Sequence, residues 1–367
     1  MGDLCMQEST KDAKMLNHIF TGNIYIFHAF DVGDDINLEQ IEKNSSIKTV
    51  PLALSKYFKN YHIPLGVALP NSQQSPYIMS CKVHNFGTIS LSYKISFKDT
   101  LENIRKEINA LDFEYYEQSL QDVKSIYALI KESITKAHFY QTRSSYVVIQ
   151  VDPELEINIT YLKEQFGAII ASALRFEMQS LSEYQKNEIL ESAVGYFRGE
   201  LIIIDTYASF LYDADYVELL DFFEFANIQL LELRYFDRVL DQQLNLIYEG
   251  RVGKVPLTAY FPFIGAISSD PVDFLGKLKA DISVITERLE GSIKIAGEPY
   301  YSEIYDILID RLDLKNWKEA IDRKLEIIKD VQLVYQHKID SIKEDTLSTL
   351  IIILIFIELV VALLRSH

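Results

Sequence analysis

Seven histidines, two cysteines and fourteen glycines are the residues here from which metal, thiol, acid–base or phosphate chemistry would be drawn. His18, His28, His62, His84, His138, His337 and His367 are scattered, with no pair at metal-binding spacing on one helix and no HExxH arrangement. They read as ordinary core or surface histidines. Gly250, Gly253 and Gly265 fit neither a Walker loop nor a dinucleotide fingerprint and read as loop punctuation. No GxSxG elbow occurs, and Cys81 has no recognisable acid–base companion. Cys5 and Cys81 build neither a disulfide framework nor a zinc site, which suits a reducing compartment. The expectation is a non-enzymatic chain with no catalytic, cofactor-binding or metal residues and no cofactor. The alternative is a membrane-associated enzyme of unrecognised class, its site assembled from residues far apart in sequence.

The densest polar cluster is Glu224, Glu232, Arg234, Asp237, Arg238 and Asp241. Opposite charges at three-residue spacing and like charges at four roughly offset, as on a solvated helix face. Tyr235 and Phe236 add aromatic area, so Glu232, Arg234, Tyr235, Asp237 and Arg238 form a candidate partner surface.

The rest of the composition sets the background for these groups. Lys and Arg number 36 against 53 Asp and Glu, a net charge of −17 that repels nucleic-acid phosphates, so nucleic-acid binding is not expected. A hydrophobic fraction of 48%, with 23 Tyr and 20 Phe, demands a substantial core. The first 17 residues are polar and lack the apolar stretch of a secretory signal. Gly2 invites myristoylation, but Met6 stands where Ser or Thr is wanted, so a flexible tail is expected.

Alternating elements follow. Asn23 to Val32, Ile63 to Leu69, Tyr146 to Val151 and Glu200 to Tyr212 read as strands, and Asn37 to Lys43 as a short helix. In Phe86 to Phe97, Ile89, Leu91, Tyr93, Ile95 and Phe97 alternate with Ser90, Ser92, Lys94 and Ser96, predicting a strand with one wet face. Apolar residues at three and four predict helices from Thr100 to about His138, Tyr161 to Phe176 and Ser182 to Gly195. After the helix-start residues Asp213 and Asp215, a long helix is predicted to about Glu249. Pro256 to Pro271 reads as an apolar connection, followed by a helix over about 272–296 and a last one from near Ser302.

In that last helix Leu314, Ile321, Ile328, Tyr335 and Ile342 repeat at seven. Trp317 and Val331 mark a second seam line, interrupted by Lys324 and Lys338. An antiparallel hairpin with the preceding helix is the favoured partner arrangement, and a coiled-coil dimer, hence self-association, is the runner-up. Leu347 to Leu364 (LSTLIIILIFIELVVALL) then spans about 27 Å at about 1.5 Å per residue, close to a bilayer's hydrocarbon thickness of about 30 Å. Leu350, Ile353, Phe356, Glu358 and Leu364 are its candidate anchor residues. Glu358 inside the span must be neutral, paired or turned to another helix, and Arg365 lies two turns on, on roughly the same face. The expected topology is a single-pass tail anchor with the body on the cytoplasmic or matrix side. The fold class is α+β: a flexible tail over 1–17, a mixed α/β domain over 18–212, a long-helix region and stalk over 213–346, and a transmembrane anchor over 347–364.

The tail from Ile304 to Leu364, with Trp317, the charged helix Lys318 to Glu344 and the acid-containing IIILIFIELVVALL, resembles the required-for-meiotic-nuclear-division family of membrane proteins with a domain of unknown function. EFANIQLLELRYFDRVLDQQL (Glu224 to Leu244) resembles bacterial-type relatives of that family. The resemblance covers about the last two-fifths of the chain. It implies membrane anchorage and a scaffold role, tied in mitochondrial members to the translation apparatus, and brings no catalytic residues.

Overall fold

The computed structural model describes residues 17–52, 63–70, 75–139, 142–195, 197, 199–248, 271–292 and 298–365. Residues 1–16 of the tail read over 1–17, residues 256–270 of the connection read over 256–271, and Cys5, His62 and His367 lie outside them. The fold is α+β, with a mixed sheet, covering helices and a long apolar helix at the C-terminal end.

Strand β1 (Phe20–Asp31) is buried at almost every position and sits centrally in the sheet. After the short β2 (Asp35–Ile36), the Asn37 side chain accepts the Gln40 N–H and starts α1 (Leu38–Glu42). Strands β3 (Leu65–Gly66), β4 (Ile78–Val83) and β5 (Thr88–Asp99) follow. The strand expected over Ile63 to Leu69 shortens to two paired residues, and β4 was not anticipated. Gly87, at φ +108°, turns the chain between β4 and β5; a Cβ there would lie 1.7 Å from the Gly33 carbonyl oxygen, so only glycine fits.

Thr100 caps α2 (Leu101–Ile130) by accepting the Asn103 N–H. The helical pattern predicted on to His138 stops at Ile130, because β6 (Ile134–Thr135) leaves the helix to pair with β2. Strand β7 (Ser144–Val151) precedes α3 (Ile159–Leu174) and α4 (Glu183–Glu191), capped by Asn158 and Ser182. Strands β8 (Ala193–Val194), β9 (Leu201–Ile204) and β10 (Ala208–Tyr212) complete the sheet. Its order is β3-β4-β5-β1-β7-β10-β9-β8; the β7–β10 pair is parallel and the rest antiparallel.

One face of the sheet is apolar. Ile24, Ile26, Phe30, Ile89, Leu91 and Tyr93 pack with Leu101, Ile104, Ile108, Val123 and Ile126 of α2 and with Leu162, Phe166 and Ile170 of α3. Each such side chain, fully buried, contributes roughly 1.5–3 kcal/mol. The opposite face meets the first half of α5 (Val217–Tyr248), where the Phe223 ring stacks on Tyr146 at 5.7 Å. The serine face of β5 is therefore wet only beyond Tyr93: Thr88, Ser90 and Ser92 are fully buried, while Lys94, Ser96 and Lys98 are exposed. Alternation reports two unlike faces, and α5 decides that the polar one is covered.

By compactness the chain divides within α5. One unit runs to Leu233 and takes in Arg288–Lys315; the other takes Arg234–Glu287 and the chain from Asn316. Helix α6 (Pro271–Ser292) is followed by α7 (Pro299–Arg311) and α8 (Leu314–Arg365). The single helix predicted from Ser302 is thus two. Asp313 takes φ +59°, a left-handed conformation that Asp tolerates, and its N–H reaches the Asp310 carbonyl, ending α7 without Gly or Pro.

Candidate functional site

Where α5 crosses β4 and β5, a layer of buried polar groups replaces apolar packing. Lys82 points from β4 toward α5, between Cys81 and Val83, and donates to Asp221 at 2.9 Å and to Glu224 at 2.6 Å. Ser90 and Ser92 donate to the other Glu224 oxygen at 2.5 and 3.1 Å. One helical turn separates the two acids, so a single ammonium serves both. Burial works against the Lys82 charge, but Glu224 and Asp221 outweigh it and hold the ammonium above its ordinary range. Burial likewise opposes ionisation of Glu224, yet Lys82 and Ser90 bring its carboxyl below the ordinary value. Lys82 and Glu224 thus form a locked, charged pair, and neither of the two is set to exchange a proton near neutral pH.

His84, just after β4, is buried, and neither ring nitrogen has a hydrogen-bond partner among the described residues. Burial lowers its pKa to about 3, so it is the neutral imidazole. Further along α5, Asn227 donates to the Phe27 and Ser144 carbonyls, and Glu232 accepts from the Thr88 hydroxyl. Burial, reinforced by the field of Asp31, raises Glu232 well above the carboxylate range and keeps it protonated. Asp31 is raised by burial too, although His138 lies 3.0 Å away. Cys81 is pushed up by burial and is an inert thiol. Among the described residues, no three His, Cys, Asp or Glu side chains converge as a metal cage.

The residues singled out by sequence fall elsewhere. Glu232 does not share the surface of Arg234, because residues two apart on a helix face opposite ways; it is buried in the sheet contact. In the second unit Arg234 lies over the Trp317 ring at 5.7 Å, while Asp237 and Asp241 each meet Lys324 at 2.6 Å. Tyr235 is half-buried and Arg238 exposed. Along α8, Ile321, Ile328, Tyr335 and Leu314 are buried, Trp317 and Val331 partly so, and Lys324, an interruption of the heptads, is the ion-paired member. Leu350, Ile353, Phe356, Glu358 and Leu364 are all exposed. The richest 18-residue window of α8 has a mean hydropathy of 3.0 and is nowhere buried, so this helix is a candidate membrane span. Thr346 and Thr349 donate to the Ile342 and Asp345 carbonyls, satisfying their hydroxyls inside the helix before it turns apolar.

Residues 21–218 match the family described as Uncharacterized protein MJ0711, N-terminal domain, which is more than half of the chain. The chain belongs to the MJ0711 N-terminal-domain family. Uncharacterized protein MJ0711 of Methanocaldococcus jannaschii is 26% identical over 215 residues, 56% of this chain, and the chain spans 62% of that relative's length. No solved structure matches. The MJ0711 N-terminal-domain region holds the sheet side of the polar layer, Lys82, His84, Thr88, Ser90 and Ser92, and ends just before Asp221 and Glu224.

Proposed function

We propose that this chain is a non-enzymatic, membrane-tethered scaffold whose α+β body holds partner proteins beside a bilayer. The observation that carries this reading is the apolar end of α8, exposed on every side and long enough to cross the hydrocarbon layer. An apolar surface of that size in water is unfavourable, so lipid or a partner must cover it. The chemistry of the buried polar layer supports the non-enzymatic half: Lys82 and Glu224 hold each other ionised, and His84 is neutral and walled off. The tail's resemblance to the required-for-meiotic-nuclear-division family supports a link to translation. A body on the cytoplasmic or matrix side belongs to the same reading, with Lys329, Lys338 and Lys343 on the body side of the span.

A membrane-associated enzyme is the second reading, favoured by one observation, the apolar chamber beside Lys82. Fractionation tests the first reading. The full chain should require detergent for release and deletion of Leu347–His367 should free it, after which affinity purification in mild detergent identifies the partners. Full-length protein in the soluble fraction without detergent would sink the tether.

A further inference from the structure

Beside Lys82 lies a chamber of about 430 Å³, inside the range of roughly 300–1,000 Å³ in which proteins hold small molecules. Val67, Leu69, Ile78 and Leu220 make its walls apolar, and Lys82 and Asp221 supply charged groups at one side. Val50, Met79 and Val217 also line it and are exposed, so solvent reaches it. A second void of about 10 Å³, the room of one water, shares Lys82 and Asp221 as a wall and adjoins the unpartnered ring of His84.

The polar groups set the head group of a ligand. Lys82 donates to two carboxylates, leaving a third N–H, and a carboxylate such as Asp221 has lone pairs for more than one donor. One ammonium against two carboxylates leaves a net negative charge, which repels a fatty carboxylate. The same net charge draws an alkylammonium, but that head group has no lone pair to offer and leaves the third Lys82 N–H unmet. A hydroxyl both accepts from Lys82 and donates to Asp221. We propose that the chamber binds an uncharged aliphatic alcohol, its chain against Val67, Ile78 and Leu220 and its hydroxyl between Lys82 and Asp221.

Hydrogen–deuterium exchange on the full chain in lipid nanodiscs tests this with three probes, 1-hexanol, hexanoate and hexylammonium. 1-Hexanol should slow exchange in residues 65–69, 78–83 and 217–224, and hexanoate should need at least roughly tenfold more for the same protection, given the local charge. Leu220→Trp fills the chamber and should abolish the 1-hexanol effect, while Asp221→Asn should narrow the preference over hexanoate. Absence of protection by 1-hexanol, equal or better protection by either charged probe, or undiminished protection in a folded Leu220→Trp variant would each overturn the proposal. If neither variant folds, the comparison of the three probes on the unaltered chain decides.

Discussion

Along the first half of α5, Asp221, Glu224 and Glu232 turn onto the sheet and are almost wholly enclosed. Along the second half Arg234 and Arg238 face solvent, and Asp237 and Asp241 meet Lys324 near the surface. Each half carries four charged residues at helical spacing, all acids in the first (Glu218, Asp221, Glu224, Glu232) and two Arg with two Asp in the second. The covering element differs as well: a sheet with Lys82, Thr88 and Ser90 pointing at the helix in one case, a neighbouring helix and water in the other. A buried ion pair is costly to break, because the surviving charge is stranded, whereas an exposed one has water as an alternative partner.

The largest effect expected from this contrast is at Lys82. Lys82→Met leaves Asp221 and Glu224 without their cation and should destabilise the body by about 3–5 kcal/mol in chemical denaturation of the full chain in detergent. Adding Glu224→Gln and Asp221→Asn should restore much of that loss. A triple variant no more stable than Lys82→Met would show that stranded charge is not the cause.

Glu232 gives a smaller effect that depends on pH. Its folded-state pKa is raised, so the native state holds the proton more tightly than the unfolded chain does. Stability is therefore greatest below the ordinary carboxylate range and is lost as pH rises toward the folded value. Glu232→Gln removes this titration, so its stability relative to the parent chain should improve between about pH 5, just above the ordinary Glu value, and about pH 8. A constant difference across that interval would mean that Glu232 is ionised in its site.

The smallest effect belongs to Lys324→Met, expected to change stability by less than about 1 kcal/mol because Asp241 is half exposed and Lys324 lies nearer the surface than Lys82. A loss as large as that of Lys82→Met would erase the contrast between the two halves of α5.

The long elements were legible because their patterns are internal to them: the stripe of α5, the heptads of α8 and the apolar end each repeat over many turns. Short or locally atypical pieces were not. Strand β4 escaped because Ser80 and Lys82 break its apolar run, and the end of α7 because Asp313 does what glycine usually does. The polar layer was illegible for a different reason. Lys82 and Glu224 lie 142 residues apart, and Thr88 and Glu232 are 144 apart, distances over which no periodicity carries information. A usable signal did exist: Asp221, Glu224 and Glu232 lie on one side of an otherwise apolar stretch, and β4 offers one lysine between Cys81 and Val83. Acids confined to one side of a core helix imply a cation or hydroxyls facing them.

Helix α8 runs 52 residues without Gly or Pro, about 78 Å at about 1.5 Å per residue. It therefore behaves as a single stiff shaft, with no joint of the usual kinds to absorb a turn or a tilt. The rotational setting of Glu358 is fixed by the same backbone that sets Ile321 and Ile328 into their seam. On the proposed membrane reading, a thinner or thicker bilayer that tilts the apolar end to match its own depth would swing the seam end by the same angle, a mechanical input to the packed helices.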